Sequence, residues 1–406
     1  MNTKRYRIGI IALLTGAAFI NAVDRGAIAI GAPVIMKELS IDPAMMGVIL
    51  SAFFWPYVLL NIPVSSFADK VGAKTVLGWA AAVWSLASAA TGFAYNGVAV
   101  VLARIGVGAG EAAMFPVSAK VVQENFPSNE RGSAISMYLS GVRLGLAATP
   151  VLMAFLMTTL GWRNAFFITG IGSLIWCIFW YILYKQPQEA RAVVAKKKIP
   201  WKLLLTNRAV LGFILAKFFQ DYLGYFFMTW IPAYLVMERG FSIIKMGFYA
   251  SLPWIAGFIM QNVTGWLSDY MIKRGVDITP ARKNLMIGSH LLGAVILGVG
   301  FVDDPMIAIA LLTISMAGEA SAGSLIWVLL EEVAPPEFSG TVGGIMNSIG
   351  AIAGILSPAI TGILVSMTGN FQLSLLIGGG MVLFAALTVL FIIPDLKPIS
   401  LEDGSV

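Results

Sequence analysis

Residues 21–30 read NAVDRGAIAI. They lie inside an apolar run from near Ile8 to about Ile35, and Asp24 and Arg25 are the charges that interrupt it. A run of that length reads as a bilayer-crossing helix, which needs about 20 apolar residues. A charge at the centre of such a helix costs about 2.5–3.5 kcal/mol on insertion scales, so it faces protein or water and has a partner. The stretch therefore predicts a membrane protein with a polar site built into its first span.

Composition extends that reading to the whole chain. Of 406 residues, 58% are hydrophobic and only 12% charged, with a mean hydropathy of +0.84. Soluble domains carry about 25% charged residues. The net charge of +6 comes from basic residues clustered in particular loops, so it calls for no nucleic-acid partner. Cys177 is the single cysteine, which excludes an intramolecular disulfide. The N-terminus, MNTKRYRIGIIALLTG, begins like a signal peptide. Its apolar run is long and lacks a clear cleavage site, so it reads as a retained first span.

Hydropathy and breaker positions place twelve spans near 8–33, 44–67, 75–94, 97–119, 132–157, 164–184, 209–236, 245–268, 284–302, 305–328, 340–366 and 371–393. The charged gap KQPQEARAVVAKKKIPWKLLLTNR divides them six and six. The expected organisation is an all-α membrane protein with a six-helix bundle over 1–184, a cytoplasmic linker over 185–208, a second bundle over 209–393 and a tail over 394–406. Of the 27 Lys and Arg residues, 19 fall in segments on the N-terminal side of the membrane, 4 in the opposite loops and 4 within spans. By the positive-inside rule both termini are cytoplasmic, and the chain is expected in the cell inner (plasma) membrane.

The halves are similar to each other. GAGEA at 108–112 matches MAGEA at 316–320, and the same offset of 208 carries Pro127 to Pro335, Gly132 to Gly340, Pro150 to Pro358 and Gly161 to Gly369. SSFAD at 65–69 matches GWLSD at 265–269, an offset of 200. Duplicated halves of this kind indicate a transporter with its substrate site near the bilayer midplane.

The span count, the repeat and the loop after span 2 resemble the major facilitator superfamily over nearly the whole chain. The loop signature is a Gly, three residues, then Asp, a basic residue, any residue, Gly and further basic residues. Asp69-Lys70-Val71-Gly72-Ala73-Lys74 fits it, with Ser65 in place of the opening glycine; the second copy has Gly265 and Asp269 followed by a looser basic set. The resemblance implies that Asp69, Lys70, Gly72, Lys74 and Asp269 form a gating loop, with the aspartate paired across the halves. Asp24-Arg25, RIGVGAGEAAMFP (104–116), FPSNERGSAISM (126–137) and GWRNAFFITG (161–170) are similar to the anion:cation symporter family, in its bacterial sugar-acid branch. That family moves sugar acids and other organic anions.

The intramembrane charges suit such work. Arg104 and Glu111 are seven residues apart and project from one face of span 4, whereas the neighbours Asp24 and Arg25 point about 100° apart. Arginine keeps its proton and offers a fork that fits a carboxylate, so Arg25 and Arg104 are the candidate anion-binding groups. Asp24 and Glu111 are the candidate proton-coupling groups. In the expected cycle each carboxylate is paired with an arginine, and protonation frees that arginine for the substrate. The alternative is that the four charges are structural pairs. Tyr57 is implied by the resemblance as a substrate contact, and Gln261 and Asn347 are candidate hydroxyl contacts. Lys217 and Asp221 stand one turn apart and can pair; otherwise Lys217, like Arg143, is a possible second anion contact. Glu319, the repeat partner of Glu111, either pairs structurally or tunes the cavity.

No enzyme is expected. His290 is the only histidine, no metal-ligating cluster or phosphate loop occurs, and no metal or cofactor is called for. GVGAGEA (106–112) resembles a dinucleotide fingerprint but lies in an apolar span, where small residues serve helix packing. The expected function is import of an organic anion, a hexonate- or hexuronate-like carboxylate, with protons, sodium being the lesser alternative. A monomer in the lipid bilayer suffices. The rivals are an organophosphate:phosphate antiporter and a multidrug exporter.

Overall fold

The computed structural model of the chain describes residues 3–187, 201–335 and 338–399. Most of the expected linker and the end of the expected tail therefore lie outside the described residues. Every regular element among the described residues is helical, as a bilayer requires of a chain that is not a closed barrel. In order these are α1 (Thr3–Leu39), α2 (Pro43–Ala52), α3 (Phe54–Val71), α4 (Ala73–Thr91), α5 (Gly97–Glu111), α6 (Met114–Asn125), α7 (Ser128–Leu160) and α8 (Trp162–Leu183). They are followed by α9 (Trp201–Thr206), α10 (Arg208–Thr229), α11 (Ile231–Met237), α12 (Ile243–Lys273), α13 (Ile278–Gly293), α14 (Pro305–Val333), α15 (Ser339–Thr368) and α16 (Gln372–Phe391). Eleven helical stretches are long and apolar enough to cross a membrane. Helix α4, with 19 residues, stands at the place of the remaining expected span.

Several spans expected to be continuous are broken, and prolines account for three of the breaks. Span 44–67 divides into α2 and α3 at Phe53, and span 97–119 into α5 and α6 at Ala112–Ala113. Pro56 follows Ala52 by four residues and Pro116 follows Ala112 by four, so each removes the N–H that would have met that carbonyl. Asn61 of α3 replaces one of them, its Nδ2 donating to the Ala112 carbonyl at 3.4 Å. The span expected over 209–236 divides at Trp230, with Pro232 in the first turn of α11. The span over 284–302 ends as a 3-10 stretch, Ala294–Phe301.

The described helices form two compact units. Among the described residues the first comprises 3–187 with 229–251, and the second 201–228 with 252–335 and 338–399. The segment 229–251, expected in the second bundle, packs with the first unit because α11 lies against α1. Within the first unit α1 packs on α7 and α8, and α5 packs on α4, α2 and α3. Within the second, α13 packs on α14 and α16. Its core gathers Phe213, Leu325, Leu329, Val342 and Val389.

Small residues permit the closest of these approaches. A Cβ at Gly110 would lie 2.6 Å from the Trp84 nitrogen and 2.7 Å from the Ala80 carbonyl oxygen, both on α4. Its repeat counterpart Gly318 meets α13 in the same way, 2.5 Å from the Ser289 oxygen and the Gly293 nitrogen. A Cβ at Gly108 would overlap the Phe53 carbonyl at the α2–α3 break. Gly108→Ala is expected to lower the thermal stability of the purified protein by about 1–3 kcal/mol, the usual cost of overpacking. Gly172→Ala, where a Cβ meets nothing within 4 Å, should leave it unchanged; equal melting temperatures for the two variants would refute this account of the helix crossing.

Candidate functional site

The first unit brings Asp24, Arg25, Tyr57, Arg104 and Glu111 into one polar cluster. Asp24 and Arg25 share α1 but look different ways, as their angular separation requires. Asp24, 1% exposed, points toward α4 and α8, and Arg25 points toward the end of α5.

The pairing within the cluster differs from expectation. Arg25 Nε meets Glu111 Oε2 at 3.3 Å, with the Glu111 side chain fully buried and that of Arg25 14% exposed. Asp24 has no arginine on its carboxylate. Its Oδ1 accepts from Ser88 Oγ at 2.8 Å and its Oδ2 from Ser173 Oγ at 2.7 Å. Two hydroxyls donating to a buried carboxylate satisfy it without a second charge. Among the described residues Arg104 therefore makes no hydrogen bond to a carboxylate, although the charges of Glu111 and Asp24 both act on it. Its Nη1 donates at 3.4 Å to the backbone oxygen of Asp24 rather than to the side chain, and its buried Nε has no hydrogen-bond partner. Glu111 Oε1 is likewise buried without one.

Aromatic faces take over part of the solvation of these cations. Phe53, exposed to the cluster by the α2–α3 break, lies under both guanidiniums, 4.7 Å from Arg25 and 5.1 Å from Arg104. The Tyr57 ring, stacked on Phe53 at 5.4 Å, lies 5.0 Å from Arg25. Such contacts are worth about 0.5–2 kcal/mol each, more where water is excluded. Phe115, at the start of α6, stands 6.0 Å from Arg25. Glu111 is the last residue of α5, so the break in span 4 begins at the group that holds Arg25.

Sequence reasoning passed over Phe53, Ser88, Ser173 and Asn61. Pro56 and Pro116 were the available signal for the breaks that involve Phe53 and Asn61. The two serines carried no signal, because a serine in a membrane helix commonly donates to its own preceding turn, as Ser85 does to the Ala81 oxygen at 2.6 Å.

The other expected residues lie elsewhere. Arg143 is exposed on α7. Gln261 is buried on α12 and Asn347 is exposed on α15, both in the second unit. In that unit Lys217 pairs with Asp221, its neighbour by one turn. Gln220 Nε2 donates to Glu319 at its backbone oxygen (3.3 Å) and its Oε1 (3.4 Å). Asp69, for which the resemblance implies a partner across the halves, pairs with Lys120 of its own unit at 2.7 Å, and Lys120 pairs in turn with Glu124 at 3.4 Å. Asp269 in the second unit lies 3.7 Å from Arg282, which also pairs with Glu332. Glu124 and Glu332 are 208 residues apart, the repeat offset, while the cation between Asp and Glu comes from α6 in one unit and α13 in the other. Lys70 is exposed, and Gly72 has a φ of +102°.

The chain matches the Major Facilitator Superfamily over residues 14–358. It is 34% identical to the hexuronate transporter of Bacillus subtilis, with 98% of this chain and 97% of that protein covered. It is 31% identical to the probable galactarate/D-glucarate transporter of Escherichia coli, over 98% of this chain and 96% of that one. It is also 31% identical to a D-galactonate transporter of Escherichia coli, over 97% and 96%. Among solved structures, a D-xylose-proton symporter superposes with a TM-score of 0.81 at 16% identity, covering 97% of this chain and 99% of that one, a likeness of fold. The chain belongs to the major facilitator superfamily. It is a multi-pass membrane transport protein rather than an enzyme, and the curated relatives it matches are transporters of sugar acids.

Removing both hydroxyls from Asp24, by Ser88→Ala with Ser173→Ala, should lower the unfolding temperature in detergent, each bond to a charged group being worth about 1.5–3 kcal/mol. Adding Asp24→Asn should recover most of the loss, since the uncompensated charge is then gone. An unchanged melting temperature in the double serine variant would exclude these hydroxyls as the supports of Asp24.

Proposed function

We propose that the chain is a symporter that imports a sugar acid, a hexonate- or hexuronate-like carboxylate, together with protons by alternating access. It acts as a monomer in the cell inner membrane with both termini cytoplasmic, and its two six-helix halves are the moving parts. The observation that carries this reading is Arg104: a buried guanidinium that makes no hydrogen bond to a carboxylate among the described residues and leaves its Nε unpartnered, beside a second guanidinium held by Glu111. An organic carboxylate is a ligand that the open fork of Arg104 can hold at two points.

The proposed cycle follows from the pairing. Substrate carboxylate docks against Arg104 and the edge of Arg25. Protonation of Glu111 removes its negative charge, releases Arg25 from the 3.3 Å contact and gives the substrate the second cation. Loss of that proton on the cytoplasmic side restores the Arg25–Glu111 pair and expels the anion. Asp24, held by serine hydroxyls, accepts its proton without releasing an arginine, so it adjusts the charge of the cluster rather than competing for the substrate. Tyr57 covers Arg25 and orders the sugar. The relatives' substrates favour a sugar acid over an aromatic acid, and the Lys217–Asp221 pair gives no support to a phosphate antiporter that needs Lys217 as a free cation.

Purified protein in liposomes with an internal pH dye tests the proposal. Hexonates, hexuronates, aromatic carboxylates and sugar phosphates are added one at a time. Acidification on adding one sugar acid, abolished by Glu111→Gln, is the expected result. Arg104→Lys, which keeps the charge and loses the fork, should raise the substrate KM about tenfold, or about 1.4 kcal/mol. Phosphate-driven uptake of a phosphate ester, with no acidification by any carboxylate, would overturn the symporter.

A further inference from the structure

Helix α4 begins without a side-chain cap of its own. Its N-cap is Gly72, at a φ of +102° that side chains avoid. A glycine has nothing with which to meet the orphan N–H groups of a first helical turn. The cap comes from far along the chain: Gln186 Oε1 accepts from the Lys74 N–H at 2.8 Å. A Cβ on Gly72 would stand 3.3 Å from the Gln186 carboxamide, so the glycine that cannot cap also leaves room for the residue that does.

The other end of the same carboxamide is also engaged. Gln186 Nε2 donates to Glu124 Oε2 at 2.9 Å, and the Tyr184 hydroxyl adds a longer bond to that oxygen at 3.4 Å. Glu124 pairs through Oε1 with Lys120 at 3.4 Å, and Lys120 Nζ donates to Asp69 Oδ1 at 2.7 Å. Asp69, in the last turn of α3, and Lys74, in the first turn of α4, flank the tight turn at Gly72, the Asp69–Lys74 loop of the sequence motif. Asp69, Lys120, Glu124, Gln186 and Lys74 therefore close a ring that ties both ends of the loop to α6, the half-helix that starts just past Glu111. Gln186 is itself anchored through its neighbour, since the Lys185 N–H donates to the Tyr6 hydroxyl at 2.8 Å and that hydroxyl donates to the Lys185 oxygen at 3.0 Å.

We infer that Gln186 is a positioning residue for the Asp69–Lys74 loop: it caps α4, locks the loop to α6, and must let go for the loop to move against α6. Its effect on transport rests on the reading of the chain as an alternating-access carrier; its effect on the loop does not.

The test follows the loop directly. Cys177 is the only cysteine, so Cys177→Ala with Ala73→Cys places one thiol at a buried position inside the ring. Reaction with a maleimide then reports how often the ring opens. Gln186→Met, which keeps the length and removes both hydrogen bonds, should speed labelling at least about thirtyfold, in keeping with the net worth of about 1 kcal/mol or more for each of two hydrogen bonds. Gln186→Glu, which sets a second carboxylate against Glu124, should speed it as well. Combining Gln186→Glu with Glu124→Gln restores a donor–acceptor pair and should bring the rate back toward the parent, which a general loss of folding would not do. Hydrogen–deuterium exchange over residues 69–76, with both native residues at 73 and 177, should rank these variants in the same order. In vesicles Gln186→Met should change the maximal uptake rate and leave KM as it was. Labelling and exchange in Gln186→Met equal to the parent, or no recovery in the reversed pair, would overturn the inference. If no carboxylate is transported at all, the labelling result stands and the carrier reading falls by itself.

Discussion

The buried ion pair between Arg25 and Glu111 is the constraint around which the first unit is arranged. Two charges inside a membrane-spanning bundle are tolerable as a set and costly apart, because removing one leaves the other uncompensated away from water. The pair obliges α1 and the end of α5 to meet, and close contact of α5 with its neighbours is what Gly108 and Gly110 permit. It also places the break of span 4 where it does most, since the helix carrying Glu111 stops at that residue and resumes at Met114. Phe53, freed by a second break, then provides a π-face to Arg25 and Arg104 together. Charge, small residues and proline-made helix breaks meet at this one cluster.

Much of this arrangement was legible in the sequence, and the reason is the bilayer. Lipid leaves so few choices for the backbone that hydropathy alone outlines the helices, and a charged residue inside an apolar run announces itself. Asp24, Arg25, Arg104 and Glu111 could be singled out that way, and the structure gathers all four with Tyr57. Which carboxylate holds which arginine could not be read. That depends on Ser88 and Ser173, and serine is common enough in membrane helices that its sequence position says nothing about its direction. The helix breaks were half legible: Pro56 and Pro116 stand in plain sight, but Pro33, Pro150 and Pro358 lie inside helices that continue through them. The difference lies in what surrounds the freed carbonyl, which no single sequence displays.

The duplication supplies the frame and divergence supplies the chemistry. Glu111 and Glu319 are repeat partners, yet one holds an arginine while the other accepts from Gln220. Glu124 and Glu332 keep the same role, each beside a cation shared with an aspartate, but the cation has moved from α6 to α13. A position can therefore keep its side chain while its partner changes, and a match of motifs between halves identifies the position more reliably than its function. The second unit is therefore not simply a copy of the first.

The same half-helix joins the two polar regions of the first unit. Helix α6 begins at the break beside Glu111 and carries in its last turn Glu124, the residue that gathers Lys120, Gln186 and Tyr184. A segment of twelve residues is about 18 Å of rigid rod. Because the break at Ala112–Ala113 interrupts the hydrogen-bond ladder, the rod can tilt at that end at a smaller cost than an unbroken helix would require. Any tilt must be answered at the other end, where the loop from Asp69 to Lys74 is bound to the rod by a lysine and a glutamine. Glu111 and that loop therefore act on the two ends of one element, and Pro116, which breaks the span, gives the rod its pivot.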